Sequence, residues 1–357
     1  MKILHTADIH IQQVGDARWQ ALQSILQLAR KNRVDVVVIS GDLFDAAYHA
    51  EQVRGEIRSV FQAFDGTILL LPGNHDYSAF QDGYFWGSNV HVFLNAEEPL
   101  VMNDIYFWGV PFLQVTEEAL VTLITKLNAI AQHQAPRATH VLLFHGELLD
   151  ISGNPASYGD DLEHYYMPVQ LATFRGKIWQ YILAGHFHTT FHALQFEKNK
   201  YFVYPGSPIS ITRREINPRR VNLFRVQSHP REHLLETAYY HPLHMALTPE
   251  DTWQTVVQRL EERINSLSPY AIPLLTLTGT FDSANLQRSE SELVNALAEK
   301  FPRCHIQEFR ARDIHHLVSD EVFQMLKQKI DRRTSLTPEQ RREVIDFLMQ
   351  VMTEQTR

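Results

Sequence analysis

Leu70-Leu71-Pro72-Gly73-Asn74-His75-Asp76 is the stretch that decides the fold. Ile68 to Leu71 is an apolar run of strand length, and Pro72-Gly73 stops it and turns the chain. The turn then offers an amide oxygen, an imidazole and a carboxylate in succession. Alone, Asn-His-Asp says little, because turns favour Asn and Asp for backbone reasons. Its weight comes from other places where a buried strand runs into ligand-type residues. Ile3 to Thr6 runs into Asp8-Ile9-His10, and Val34 to Ser40 into Gly41-Asp42. Val141 to Phe144 runs into His145, and Tyr181 to Ala184 into Gly185-His186-Phe187-His188.

In an open α/β sheet, sites form beyond the carboxyl ends of the strands. These strand ends therefore deliver Asp8, His10, Asp42, Asn74, His145, His186 and His188 to one rim, with His75 beside them. Carboxylate, amide oxygen and imidazole without cysteine suit Mn, Fe or Zn. Such a set is too large for one ion and right for two that share a carboxylate.

The 357 residues leave room for one large domain and a smaller one. A hydrophobic fraction of 44% and a charged fraction of 21% are those of a soluble globular chain. Cys304 is the only cysteine, which excludes an intrachain disulfide. The apolar runs are far shorter than the roughly 20 residues that span a bilayer, so no membrane is expected. Met1-Lys2 leads straight into a strand; no leader is expected, and the cytoplasm is the expected compartment. The formal charge of −8 argues against coating nucleic acid by bulk charge. It leaves room for a local grip on phosphates, where divalent ions invert the sign. With 19 histidines in the chain, position at a strand end is the signal, and His5, His91, His133, His140 and His229 are background.

Residues 1–245 read as alternating strands and helices joined to antiparallel strands, the latter including Val90 to Pro111. The expected fold is α/β, with two packed mixed sheets flanked by helices in four layers. From residue 246 to 313 an α-β-α-β pattern without ligand-type strand ends reads as a second, smaller α+β domain. Its first helix is expected to take Thr248 as N-cap and Pro249 in its first turn. Residues 314–357 read as C-terminal helices. There Val318, Val322, Leu326 and Ile330 repeat every four residues, and Thr337-Pro338-Glu339-Gln340 is a capping box. The stripe Val344, Phe347, Leu348, Val351 and Met352 follows as a core or partner-binding face.

Asp8-x-His10, Gly41-Asp42, Gly73-Asn74-His75-Asp76, His145 and Gly185-His186-x-His188, in this order, resemble the calcineurin-like metallophosphoesterases. Gly41-Asp42-Leu43-Phe44-Asp45, Tyr204-Pro205-Gly206-Ser207 and the trailing α-β-α-β domain narrow the resemblance to SbcD-type nucleases, the nuclease half of an SbcCD-like DNA repair complex. The resemblance implies that Asp8, His10, Asp42 and His188 hold one divalent ion and Asp42, Asn74, His145 and His186 the other. Mn²⁺ is the expected metal, with Mg²⁺, Fe²⁺ and Zn²⁺ as alternatives. It implies that His75 acts on the substrate, in exonuclease and endonuclease cleavage during DNA repair and recombination. It further implies a homodimer, an SbcC-type, SMC-like ATPase partner gripped by terminal helices, and a capping and DNA-binding role for the domain at 246–313. The chain has no Gly-x4-Gly-Lys-Ser/Thr loop, so ATP hydrolysis would belong to that partner.

Weaker features admit both a functional and a background reading. Arg213, Arg214, Arg219 and Arg220 are candidates to hold a DNA backbone, or mark a solvated turn. Tyr77, Phe80, Tyr84, Phe85 and Trp86 read more readily as packing than as a platform for bases. A small-substrate phosphodiesterase or phosphatase on the same fold, and a non-catalytic scaffold, are the rival readings.

Overall fold

A computed structural model describes residues 1–81, 83–151, 167–337, 339–341, 343–345 and 347–348. It divides into two compact units, Met1–Tyr240 and His241–Arg357. Val351 and Met352 of the terminal stripe, and most of the loop after His145, lie outside the described residues.

The first unit runs β1 (Lys2–Thr6), α1 (Ala17–Lys31), β2 (Val36–Ser40), α2 (Ala47–Gln62), β3 (Thr67–Leu71), β4 (Val90–Val92), β5 (Leu100–Met102), β6 (Ile105–Val110), α3 (Glu117–Gln134), β7 (Thr139–His145), β8 (Tyr181–Gly185), β9 (His192–Glu197), β10 (Lys200–Tyr204), β11 (Arg220–Arg225) and β12 (Glu232–Leu234). One sheet has the order β12-β11-β1-β2-β3-β4, the other β5-β6-β7-β8-β10-β9. Both are mixed. The antiparallel expectation for Val90 to Pro111 holds only for β5 against β6; β4 lies parallel to β3, and β6 parallel to β7.

The two-residue period of the strands builds the layers. Val36 and Val38 point into a core between the sheets, where they join Leu183 and Val203 of the second sheet. Val37 and Ile39 point the other way, against Leu22, Ile25 and Leu26 of α1 and Val53 and Ile57 of α2. The second sheet turns Leu142 and Phe144 towards Leu120, Ile124 and Leu127 of α3. The order helix, sheet, sheet, helix is the four-layer arrangement expected from the sequence. Phe80 and Trp86 are core, packed 6.0 and 5.5 Å from the Phe44 ring, while Phe85 is exposed.

The second unit begins within β13 (Tyr239–Leu247) and continues α4 (Trp253–Asn265), β14 (Ala271–Phe281), α5 (Ser283–Leu286), α6 (Glu290–Lys300), β15 (His305–Phe309), β16 (Arg312–Asp313), α7 (His315–Val318) and α8 (Glu321–Asp331). β13, β14 and β15 form its sheet, with β16 also paired to β14. Leu275, Leu277 and Phe281 pack against Val256 and Leu260 of α4 and Leu293 and Leu297 of α6. The N-cap is Thr252, not Thr248, and it forms a box with Thr255. The reason is that Thr248 N donates to Asp251 Oδ2 (2.8 Å) and Asp251 N to Thr248 O (3.0 Å), which closes a turn first. In α8 the inward position is Phe323, and Val322 of the four-residue repeat is exposed. Thr337 and Gln340 do exchange capping hydrogen bonds (3.0 and 3.2 Å).

The sheets meet at the carboxyl ends of β2 and β8. Ser40 Oγ donates to Leu183 O (2.8 Å), and a Cβ added at Gly185 would lie 1.9 Å from Ser40 O. Gly185→Ala should therefore cost at least about 2 kcal/mol of stability, because backbone would have to move. Gly55→Ala, in the middle of α2 with open space around it, should be neutral or stabilising. Thermal melting of both variants checks the contrast.

Candidate metal centre

The site is built where strands run on past their last ladder bond. Asp8 N donates to Gly41 O (3.1 Å), Ile9 N and His10 N to Asp42 O (2.9 and 3.0 Å), and Ile11 N to Leu43 O (2.9 Å). Pairing thus continues while side chains are re-aimed. Asp8, His10 and Asp42 take left-handed backbone (φ 55°, 55° and 52°), as does His186 (φ 100°). Non-glycine residues avoid that region unless the surroundings impose it, and such positions gather at functional sites. Gly73 is crowded by the same loop: a Cβ there would lie 2.1 Å from Asp42 Oδ1. Asp76, last of the opening motif, turns inward and accepts from Gly73 N (2.8 Å) and Phe44 N (3.1 Å). Its carboxylate ties the β3 turn to the β2 turn.

The structure brings the strand-end residues together. Asp8, His10 and His188 place ligand atoms within 4.8 Å of one another; so do Asp8, Asp42 and His145, and also His10, Asp42 and His75. His10 Nε2 and His188 Nε2 are 3.3 Å apart. Asp42 Oδ2 is 3.3 Å from His145 Nε2 and 3.8 Å from His10 Nε2. Asn74 Oδ1 is 2.9 Å from His145 Nε2. His186 is outside these groups: its N–H donates to both oxygens of Asp8 (3.0 Å each), and its ring centroid is 5.4 Å from that of His145.

These residues fit divalent cations. Asp8 and Asp42 are fully buried, and among the described residues no Lys or Arg pairs with either. Asp42 Oδ2 accepts no hydrogen bond among those residues, while Oδ1 is held by His75 N (3.0 Å). A buried anion without a countercharge is costly, and a mixed oxygen and imidazole donor set is what such metals bind. The outer ring nitrogens of His145 and His75 lie on backbone carbonyls, and that of His10 faces a carboxylate, the kinds of group that stand behind metal-site histidines. His145 Nδ1 lies 2.8 Å from Ser40 O, which makes it the donor and leaves Nε2 for the site. His10 Nδ1 lies 3.3 Å from Asp45 Oδ1, and Asp45 is itself fixed by Arg18 (2.9 Å) and Gln12 (2.7 Å). His75 Nδ1 is 3.2 Å from Asp45 O.

The electrostatics follow from burial and neighbours. Burial pushes the Asp42 carboxyl up, but the surrounding imidazoles, His145 above all, outweigh it and hold it well below the usual range. Burial would lower His145; the carboxylates of Asp42 and Asp8 and the Ser40 carbonyl instead raise it to about 9. Burial dominates at Asp8, whose pKa is raised. Asp76, buried and near Asp42, is raised to about 7. In the ion-free protein, a proton on His145 thus provides the positive charge that Asp42 lacks.

Sequence reasoning grouped four arginines as phosphate contacts, and the structure separates them. Arg213 and Arg214 are exposed, and Arg220 pairs with Glu232 (2.9 Å). Arg219 is only 3% exposed and turned inward, donating to the carbonyls of Ser207 (2.9 Å), Thr189 (3.0 Å) and His188. It braces the loop after His188 and offers nothing to a ligand outside. Sequence reasoning also passed over Asp45, whose signal was its place in Gly41-Asp42-Leu43-Phe44-Asp45, and Glu215, which has no local signal and is buried beside His188.

An SbcCD nuclease subunit from Staphylococcus epidermidis is 24% identical over 250 residues, 61% of this chain and 63% of that relative, so the chain spans under two thirds of its length. Two solved structures align at a TM-score of 0.39 and 11% identity. They are GAP50, the anchor in the inner membrane complex of Plasmodium (66% of this chain, 89% of that one), and a dimetal phosphatase from Danio rerio (65% and 98%). No helix among the described residues is long and apolar enough to cross a membrane. The profile of the calcineurin-like phosphoesterases matches residues 1–200, and those residues include every ligand candidate above; the chain belongs to that family.

Proposed function

We propose that the chain is a dimetal DNA nuclease that hydrolyses phosphodiester bonds at DNA ends. The observation that carries this reading is the buried cluster of Asp8, His10, Asp42, His145 and His188, with two ring nitrogens 3.3 Å apart and Asp42 Oδ2 lacking a donor. Similarity to a component of an SbcCD nuclease supports DNA as the substrate. So does a cavity of about 460 Å³ lined by Thr189, Thr190, Arg214, Asn217 and Arg220, which starts one residue after His188. A role beside an SbcC-type ATPase is supported by similarity to that nuclease subunit and by Val344 and Phe347, which are 40% and 67% exposed. The second unit then serves as the capping and DNA-binding domain.

In this reading Asp8, His10, Asp42 and His188 hold one ion, and Asp42, Asn74, His145 and His186 the other. When bound, the ions supply Lewis acidity and positive charge to the phosphate. Asp42 would belong to both ion sites, with Oδ1 held by the His75 N–H. The Asp45 carbonyl accepts from His75 Nδ1, so a proton given to the leaving oxygen would come from Nε2 of the imidazolium and leave the neutral ring with its hydrogen on Nδ1.

Purified protein with Mn²⁺ should shorten linear duplex DNA. Cleavage of a chromogenic phosphodiester without any cleavage of DNA would instead make it a small-substrate phosphodiesterase.

His75→Ala should keep its metal and lose about 10²–10⁴-fold in turnover, the usual share of a positioned acid. Elemental analysis beside the nuclease assay separates the roles, because a fall in metal content would make His75 a ligand.

Metal affinity should depend on pH through His145. Its pKa is raised to about 9, and a ligand must shed its proton, so below that pH each binding event releases one. Mn²⁺ affinity should climb by about tenfold per pH unit or more towards pH 9 and then level off, because His188, raised against burial by Glu215 and Asp8, adds its own proton to that from His145. For the ion-free protein the sign reverses. A histidine raised from 6.5 to about 9 stabilises fully below 6.5, and that stability is lost as pH rises through 9. Calorimetry at several pH values, with melting of the ion-free protein, tests both signs; an isotherm unchanged between pH 7 and 9 would contradict them.

A further inference from the structure

Glu215 is fully buried although exposed arginines precede it. Its carboxylate accepts from Ser207 Oγ (2.7 Å), Ile211 N (2.9 Å), Thr212 N (3.1 Å) and Thr212 Oγ1 (3.2 Å). Its Oε1 also lies 3.6 Å from His188 Nδ1, an ion-pair separation longer than a hydrogen bond. That ring nitrogen has no hydrogen-bond partner among the described residues. The other ring nitrogen, Nε2, faces His10 Nε2 at 3.3 Å and Asp8 Oδ1 at 3.8 Å. The backbone of His188 is gripped by the same group: its carbonyl accepts from Ser207 N (3.0 Å) and Arg219, and Arg219 also donates to Ser207 Oγ (3.0 Å). Glu215, Ser207 and Arg219 thus surround His188 from the side away from Asp8 and His10.

Neutral groups can close a turn without the several kcal/mol that burying an ion costs. A carboxylate is useful there because it faces an imidazole. It favours the tautomer with hydrogen on Nδ1 and leaves the Nε2 lone pair for the site. We propose that Glu215 is a positioning residue for His188, one that orients the ring and fixes its tautomer for metal binding. This inference rests on the dimetal reading.

The test is a Mn²⁺ titration by calorimetry on the full chain, comparing wild type with Glu215→Gln, Ser207→Ala and the surface control Glu232→Gln. Glu215→Gln should weaken one ion by about 10–100-fold, the usual effect of removing an outer-shell partner, and Glu232→Gln should change nothing. Histidine-ring ¹⁵N NMR of the Zn²⁺-loaded protein should show hydrogen on His188 Nδ1 in wild type and lose that single state in the variant. A purely structural role would lower the melting temperature and leave both readouts unmoved. If Glu215→Gln does not fold, Ser207→Ala, which removes one of the two donors that hold Oε2 and so loosens the carboxylate, carries the test and should weaken the same ion. Affinity within twofold of wild type in a folded variant would overturn the proposal alone; a wild-type protein that binds no Mn²⁺ would overturn the dimetal reading beneath it.

Discussion

Everything at the centre depends on how closely two sheets approach at the ends of β2 and β8. Packed sheets ordinarily lie about 10 Å apart. Here the rim closes to backbone contact, with the Ser40 hydroxyl on the Leu183 carbonyl and no room at Gly185 for a methyl group. Gly41 has the same role from the first sheet, since a Cβ there would lie 1.8 Å from Nδ1 of His145. Glycine at these strand ends lets the carboxylates of one sheet meet the imidazoles of the other. The apolar core between the sheets supplies the rigidity, and the left-handed turns at Asp8, His10 and Asp42 convert it into aim.

That convergence makes an electrostatic problem. Asp8 and Asp42 are buried together, and the described residues around them provide imidazoles rather than permanent cations. The ion-free protein answers by holding protons on imidazoles: against the effect of burial, the neighbouring carboxylates raise His145 and His188, while His10, deep in the same site, is lowered by burial. A divalent ion solves the same problem with more charge. The carboxylates around the cluster are of two kinds. Asp8 and Asp42 face inward, whereas Asp45 and Glu215 stand behind His10 and His188 and act on the rings.

Much of this cluster was legible because its residues are local to their strands. An apolar run fixes where a parallel strand ends, and polar residues just beyond it must lie on the rim that all such strands share. Asp8, His10, Asp42, Asn74 and His145 needed nothing more than that rule and their spacing. The Thr337 and Gln340 box was legible, whereas the start of α4 was not, because the Asp251 turn competes with a cap at Thr248.

The sequence by itself determined the layers, the strand ends and the types of ligand, since hydrophobic period and turn chemistry act within a few residues. Only the tertiary structure decided which groups face each other. It turned Arg219 inward on the His188 carbonyl, set Asp76 against the backbone of Gly73 and Phe44, and placed Glu215 beside His188. The physical reason is that periodicity assigns a side chain to a face but does not name its partner. The partner depends on the register between strands and on how near two sheets can come, and those are set by the packing of the whole core.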